Sequence, residues 1–245
     1  MERILEVCVD SLDSARAAVR GGADRLELCS ALAIGGLTPY TALLEQIREE
    51  SSIAVRCLMR PRAGDFLYTK EEILQMARQI DVLRNAGADG FVIGCLTPEG
   101  ALDEKAMAPL LSAAQGCGLT LHRCIDVSRD LVATYQTAGE LGIDTVLTSG
   151  GASSATAGME AIGTLLSLDG PQVLIGAGVN AAVIRNFRSR FPSASAFHMS
   201  GKTEIESGMR FRREGIPMGI PGFDEWHIQQ TDEAAVRAAK IVLFD

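Results

Sequence analysis

The chain has 245 residues, 47% of them hydrophobic and 5% aromatic, with 31 acidic against 23 basic residues and a net charge of −8. That length is close to the ~250 residues of a one-domain (β/α)8 barrel. An acidic chain without a basic run excludes nucleic acid and an anionic membrane surface as expected partners, because both are gripped through clustered Lys and Arg.

The opening Met1-Glu2-Arg3-Ile4-Leu5-Glu6 breaks any apolar run with charges, so it does not read as a secretory signal. No stretch reaches the ~18 consecutive apolar residues of a membrane span. The expected location is the cytoplasm. There the six cysteines, Cys8, Cys29, Cys57, Cys95, Cys117 and Cys124, stay reduced. None forms a Cys-x-x-Cys pair, which leaves zinc-ribbon and thioredoxin readings without support.

Short apolar runs then alternate with longer amphipathic stretches. A first strand, Ile4–Val9, leads through Ser11 into a helix over Leu12–Arg20, and Arg25–Leu28 forms a second strand. Pro39 sits near the start of a helix over Tyr40–Glu50, and Ala54–Met59 is the third strand. Thr69-Lys70-Glu71-Glu72 resembles a capping box for a helix over Ile73–Asn85. Strands follow at Gly90–Gly94, Thr120–Cys124, Thr145–Thr148, Val173–Gly176 and Ala196–Met199. A long irregular stretch, Lys202–Gln230, includes Gly219-Ile220-Pro221-Gly222-Phe223 and either serves function or covers the barrel mouth. The last helix is expected over Asp232–Val242. Gly22-Ala23-Asp24, Gly87-Ala88-Asp89, Gly118-Leu119 and Gly142-Ile143-Asp144 recur between a helix and a strand, where glycine suits a left-handed helix end. The pattern predicts an α/β fold: a single (β/α)8 TIM-like barrel over residues 1–245, with a long irregular segment before the C-terminal helix.

Side chains alternate across a strand, and the apolar members should face the helices. That parity sends Glu6, Cys8 and Asp10 inward from the first strand, and Arg25, Glu27 and Cys29 from the second. It sends Arg56, Leu58 and Arg60 inward from the third, His122, Cys124 and Asp126 from the fifth, and His198 and Ser200 from the eighth. Arg123 is then turned outward. Barrel interiors are ordinarily filled by branched apolar residues. A charged interior is either an internal ion-pair network of Glu6, Glu27, Arg56 and Arg60 or a site at the C-terminal mouth.

Three groups carry chemistry. Glu6-Val7-Cys8 and Glu27-Leu28-Cys29 each place a carboxylate and a thiol inward. If the two patterns are in register, the sulfurs of Cys8 and Cys29 reach one ion, and two thiolates suit Cu(I). A free cysteine also packs as a small hydrophobe. His122 and Asp126, with His198 across the barrel, suit acid–base work, with Glu27 a further candidate. Gly176 and Gly178 after the seventh strand, with Ser200 and Gly201 after the eighth, occupy the usual phosphate site of such barrels, although glycines also make tight turns. Thr148-Ser149-Gly150-Gly151 fits ligand access or plain turn chemistry.

At these residues the chain resembles the CutC family. The matching segments are Glu6–Asp10, Gly22–Cys29, Gly35–Pro39, Met59–Phe66, His122–Asp126, Leu147–Gly151 and Phe197–Ser200. The family usually reads His-Arg-Ala-Phe-Asp around the fifth strand, so Cys124 departs from it. The resemblance implies a TIM-like barrel, a cytoplasmic location and a homo-oligomer, commonly a dimer. It also implies copper binding, with Cys8 and Cys29 at the Cu(I) ligand positions. From the strand parity, Glu6 and Glu27 are expected beside the ion, and Glu6, Arg25, Arg56 and Arg60 as supporting or anion-binding residues. The residues alone leave a second expectation open: an enzyme acting on a small anionic or phosphorylated molecule, clamped by Arg56 and Arg60 with His122, Asp126 or Glu27 as acid and base.

Overall fold

In a computed structural model that describes residues 2–216, 218–219 and 224–245, eight short runs pair side by side into a closed parallel barrel. The strands are β1 (Ile4–Val9), β2 (Arg25–Leu28), β3 (Ala54–Leu58), β4 (Gly90–Ile93), β5 (Gly118–Leu121), β6 (Thr145–Thr148), β7 (Gln172–Ile175) and β8 (Ala196–Met199). Seven helices run between or after them: α1 (Leu12–Gly21), α2 (Thr41–Glu50), α3 (Lys70–Asn85), α4 (Glu104–Ala113), α5 (Leu131–Glu140), α6 (Met159–Leu166) and α7 (Ala181–Arg190). The C-terminal α8 (Glu233–Phe244) packs on α1 and α7. β1 pairs with both β2 and β8, which closes the ring.

Local chemistry sets the helix starts. Ser11 Oγ accepts from the Ser14 backbone N–H at 3.2 Å, and Thr69 with Glu72 completes the capping box at the start of α3. Pro39 lies just ahead of α2, whose N-cap is Tyr40.

The glycine joints do two jobs. Gly22, Gly87 and Gly142 adopt φ of 92°, 99° and 78°, which a side chain disfavours. The aspartate two residues on then reaches back to the neighbouring strand. Asp24, Asp89 and Asp144 accept from the backbone N–H of Leu5, Val55 and Leu119 at 2.8, 2.7 and 2.6 Å. Each Gly-x-Asp triplet therefore ends a helix and pins the start of the strand next door.

Gly118 is different, and its expected helix-ending role is corrected here. Gly116 makes the left-handed turn, with φ of 85°, and Gly118 is the first residue of β5. Gly118 is needed for space: an added Cβ would lie 2.6 Å from Arg56 Nη2. Arg56 cannot swing aside, because Thr120, Thr145 and Asp144 hold its guanidinium. Gly118→Ala is expected to lower stability by about 1–3 kcal/mol, measured by urea denaturation; a change within experimental error would show that Arg56 is free to move.

The stretch before α8 is less irregular than its Gly and Pro content suggests. β9 (Lys202–Glu206) and β10 (His227–Thr231) form an antiparallel pair with Ile205 opposite Ile228. The pairing was hidden because both strands are mostly polar and β9 is exposed throughout, so neither carries an apolar alternation. Residues 220–223 of the Gly- and Pro-rich segment lie outside the described residues. Among the described residues no helix is long and apolar enough to cross a membrane.

The core lies mainly between barrel and helices. Leu5, Val7, Leu26, Val55 and Phe197 join it from the strands, and Ala18, Leu44, Ile80 and Phe187 from the helices. Two smaller apolar groups sit inside the ring: Ile4, Leu147, Leu174 and Ala196, and Cys8, Cys29, Leu58 and Val92. Charged side chains take much of the remaining interior.

Candidate functional site

Alternation on β1, β2 and β8 delivers Glu6, Cys8, Arg25, Glu27, Cys29 and His198 to the interior. The register then decides who meets whom. Glu6 lies opposite Arg25 on one side and His198 on the other, and Cys8 lies opposite Glu27. The expected alignment of the two Glu-x-Cys patterns is therefore corrected: β2 is offset, and Cys8 faces Glu27 instead of Cys29. Closing a tilted barrel requires such a stagger between neighbouring strands.

Glu6 is the centre of the network. It has no exposed surface, its Oε2 accepts from Arg25 Nε at 2.5 Å, and its Oε1 meets His198 Nδ1 at 2.8 Å. Burial works against its charge, but Arg25 and His198 outweigh that and hold its pKa at about 2. Burial also opposes a charge on His198, yet Cys8, Glu27 and Glu6 around it keep its pKa well above the usual 6.5. Burial pushes Glu27 up, with His198 opposing and Glu6 adding to the rise. The Cys29 thiol donates to Glu27 Oε2 at 3.4 Å, and burial and Glu27 push its pKa far up.

Cys8, Glu27 and His198 each offer a donor atom within 4.8 Å of the other two. Cys29 falls outside that mutual set. The neighbouring pair His198 Nε2 and Glu27 Oε2 stands 3.9 Å apart. Sulfur, imidazole nitrogen and carboxylate oxygen in one buried place can hold a metal ion.

The fifth-strand expectations need correction. β5 ends at Leu121 and the chain turns into a 3-10 helix over Arg123–Val127, so strand parity stops at His122. Cys124 is buried in the outer core with Ile125. Asp126 accepts from Thr148 Oγ1, the Ser149 and Gly151 backbone N–H groups and Arg123 Nε, at 2.5, 3.0, 3.0 and 2.7 Å. It is committed to tying this turn to the loop after β6. Arg123, expected to point outward, borders the mouth cavity because the turn re-aims it.

The two arginines of β3 part company. Arg56 was expected at the mouth, but it reaches Asp144, which precedes β6, and so fills the N-terminal end of the barrel. Glycine makes that possible, because Gly90 and Gly118 leave the room. Arg60 does border the mouth, where its Nη atoms donate to the carbonyls of Ile34, Gly36 and Gly64 at 3.1, 3.0 and 3.0 Å.

Gly178 and Ser200 border the same cavity. Gly176 packs over Leu147, and Gly201 turns the chain with φ of 54°. The first N–H groups of α7 are already taken: Asn180 Oδ1 accepts from Ala182 and Val183. Of the other cysteines, Cys57 and Cys95 belong to the outer core, and burial pushes each pKa up to about 12. Cys117 is half-buried ahead of β5.

Cys8, Glu27, Arg60, His122, Gly178, His198 and Ser200 line one cavity of about 730 Å³, within the range that holds a small ligand. The hairpin forms part of its rim through Lys202, His227 and Gln229. His227 is exposed and meets Asp224 at 2.6 Å, apart from the three potential metal donors. Phe66 also borders the cavity, and no spacing or parity rule marks it because it lies in the loop after β3.

Residues 3–203 match the CutC family. The chain belongs to the CutC family. A CutC family protein of Chromobacterium violaceum is 37% identical over 245 residues, covering 99% of each chain. A human protein named copper homeostasis protein cutC homolog is 36% identical over 242 residues, 98% of this chain and 88% of the human one. The crystal structure of a CutC protein from Streptococcus agalactiae superposes with a TM-score of 0.76 at 26% identity, over 81% of this chain and 98% of that one. Cys8, Glu27 and His198 all lie within the CutC match, whereas β10 and α8 lie beyond it.

Proposed function

We propose that this protein binds Cu(I) at the barrel mouth, with Cys8 and His198 as the main donors and Glu27 beside them. One observation carries the reading: donor atoms of these three residues lie within 4.8 Å of one another in a buried position. A thiolate with an imidazole suits a soft ion such as Cu(I), whereas Mg and Ca require oxygen-rich sites. Glu6 engages Nδ1 of His198, which leaves Nε2 for the metal and raises its basicity. Cys29 stands behind Glu27 as a further sulfur. The human relative is named a copper homeostasis protein, and the same cargo is proposed here. A reducing, cytoplasmic setting belongs to this reading, because all six cysteines are free thiols.

Anaerobic titration with Cu(I) against a competing chelator tests the proposal. Glu6→Gln is expected to weaken binding roughly 10–100-fold, the usual effect of losing a ligand's supporting partner. Cys8→Ser and His198→Leu should weaken it further, and Cys29→Ser less than Cys8→Ser. Binding should strengthen as pH rises, because His198, whose protonated form Cys8, Glu27 and Glu6 favour, must shed a proton to ligate. Equal stoichiometry and affinity in the wild type and Cys8→Ser would remove the copper reading.

A further inference from the structure

The mouth cavity has two walls of different chemistry. Cys8, Glu27 and His198 form one. Arg60, Phe66 and His122 stand on another, and none of them takes part in the proposed copper site. We propose that this second wall binds a small oxyanion, the carboxylate or phosphate group of a low-molecular-mass metabolite.

His122 provides the first donor. Its Nδ1 accepts from the Cys124 backbone N–H at 3.2 Å, so the neutral ring carries its proton on Nε2. That Nε2 is buried and has no hydrogen-bond partner among the described residues. The Cε1–Nδ1 edge lies against Gly94, where an added Cβ would come within 2.6 and 2.8 Å of those atoms. His122 is 4% exposed and borders the cavity.

Arg60 provides the second donor. Its two Nη atoms are fixed on three loop carbonyls, and its buried Nε has no partner among the described residues. Among the described residues every hydrogen-bond partner of the guanidinium is a neutral carbonyl, and no carboxylate pairs with it. Phe66 joins the two residues: its ring centroid is 4.7 Å from that of His122, and Arg60 Cζ lies 5.5 Å from the same ring. Arg123 beside them adds no spare Nε, since Asp126 accepts from it.

Buried N–H groups without partners are rare and costly. Two of them flanking one aromatic ring, one on a guanidinium held by neutral carbonyls, call for an acceptor that brings negative charge. The groups are held in place before any ligand arrives, and a cavity of about 730 Å³ leaves room for an organic body behind the anion.

The full chain labelled with 15N-histidine tests this directly, because it contains only three histidines. Inorganic phosphate and malonate serve as probes. A saturable shift of the His122 Nε2 resonance, with a matching rise in Tm, is expected for at least one of them. Preference for malonate assigns a carboxylate ligand, and preference for phosphate assigns a phosphate ester. His122→Asn keeps an acceptor for the Cys124 N–H but removes the distal donor, and should weaken anion binding roughly tenfold or more. Cys8→Ser should leave anion affinity unchanged, which separates this site from the copper reading. Absence of a saturable His122 shift with both probes overturns the proposal, as does undiminished affinity in His122→Asn. Should that variant fail to fold, the wild-type titration decides alone.

Discussion

Replacing Arg25 by methionine is expected to cost about 3–5 kcal/mol of stability, the range for breaking a buried ion pair by removing one partner. Glu6 is completely buried, and Arg25 Nε at 2.5 Å is one of its two charged partners. Methionine keeps much of the apolar stem in place, so the loss reports the stranded carboxylate more than a cavity. Arg25→Met combined with Glu6→Gln should recover much of the deficit, because no buried charge is then left unpaired. The acid limb carries a second signature. The folded pKa of Glu6, about 2, lies below its ordinary 4.5, so its contribution is present above pH 4.5 and is lost as pH falls toward 2. In Arg25→Met that loss should begin at higher pH. Urea denaturation from pH 7 to pH 3 measures both effects, and a deficit below about 1 kcal/mol at pH 7 would contradict the assigned role.

Wild-type stability is expected to peak near pH 6.5, because two buried histidines titrate in opposite senses. Burial, reinforced by Arg60, lowers the pKa of His122 to about 3. The unfolded chain therefore takes up a proton on this residue below pH 6.5 and the folded chain does not. Stability falls on acidification, by about 2 kcal/mol between pH 6.5 and pH 5. For His198 the folded pKa is raised, because Cys8, Glu27 and Glu6 overcome the cost of burying its charge. Its contribution is complete below pH 6.5 and disappears as pH climbs through that raised value. His122→Asn should flatten the acidic side of the profile and leave the alkaline side unchanged. His198→Leu should do the reverse. Denaturant midpoints across pH 5–9 give the answer, and an acidic limb that survives intact in His122→Asn would refute the assignment.

Much of the architecture is written locally. Ile4–Val9, Arg25–Leu28, Thr145–Thr148 and Ala196–Met199 are strands with the bounds that the apolar runs give. Ser11 and Thr69 cap helices because a side-chain oxygen a few residues upstream of a backbone N–H needs no tertiary partner. Alternation also assigns the faces of β1, β2, β3 and β8, since a period of two is a property of the extended chain itself. The ends of elements are harder to read. His122 to Asp126 look like continued alternation, but the chain leaves the strand at Leu121 and the parity argument has nothing to act on beyond it.

The sequence by itself therefore determined the eight-fold βα rhythm, the caps at Ser11 and Thr69 and which side chains of β1, β2, β3 and β8 enter the barrel. Only the tertiary structure decided how those side chains meet. The stagger that closes the ring puts Cys8 opposite Glu27 and assembles Cys8, Glu27 and His198 from the first, second and eighth strands. The space left by Gly90 and Gly118 takes Arg56 to the end away from the mouth, while Arg60, four residues on, borders the cavity. Loop packing brings Phe66 beside His122. Identity and periodicity are properties of a chain segment, but register, depth along a barrel axis and the reach of a long side chain depend on neighbours distant in sequence.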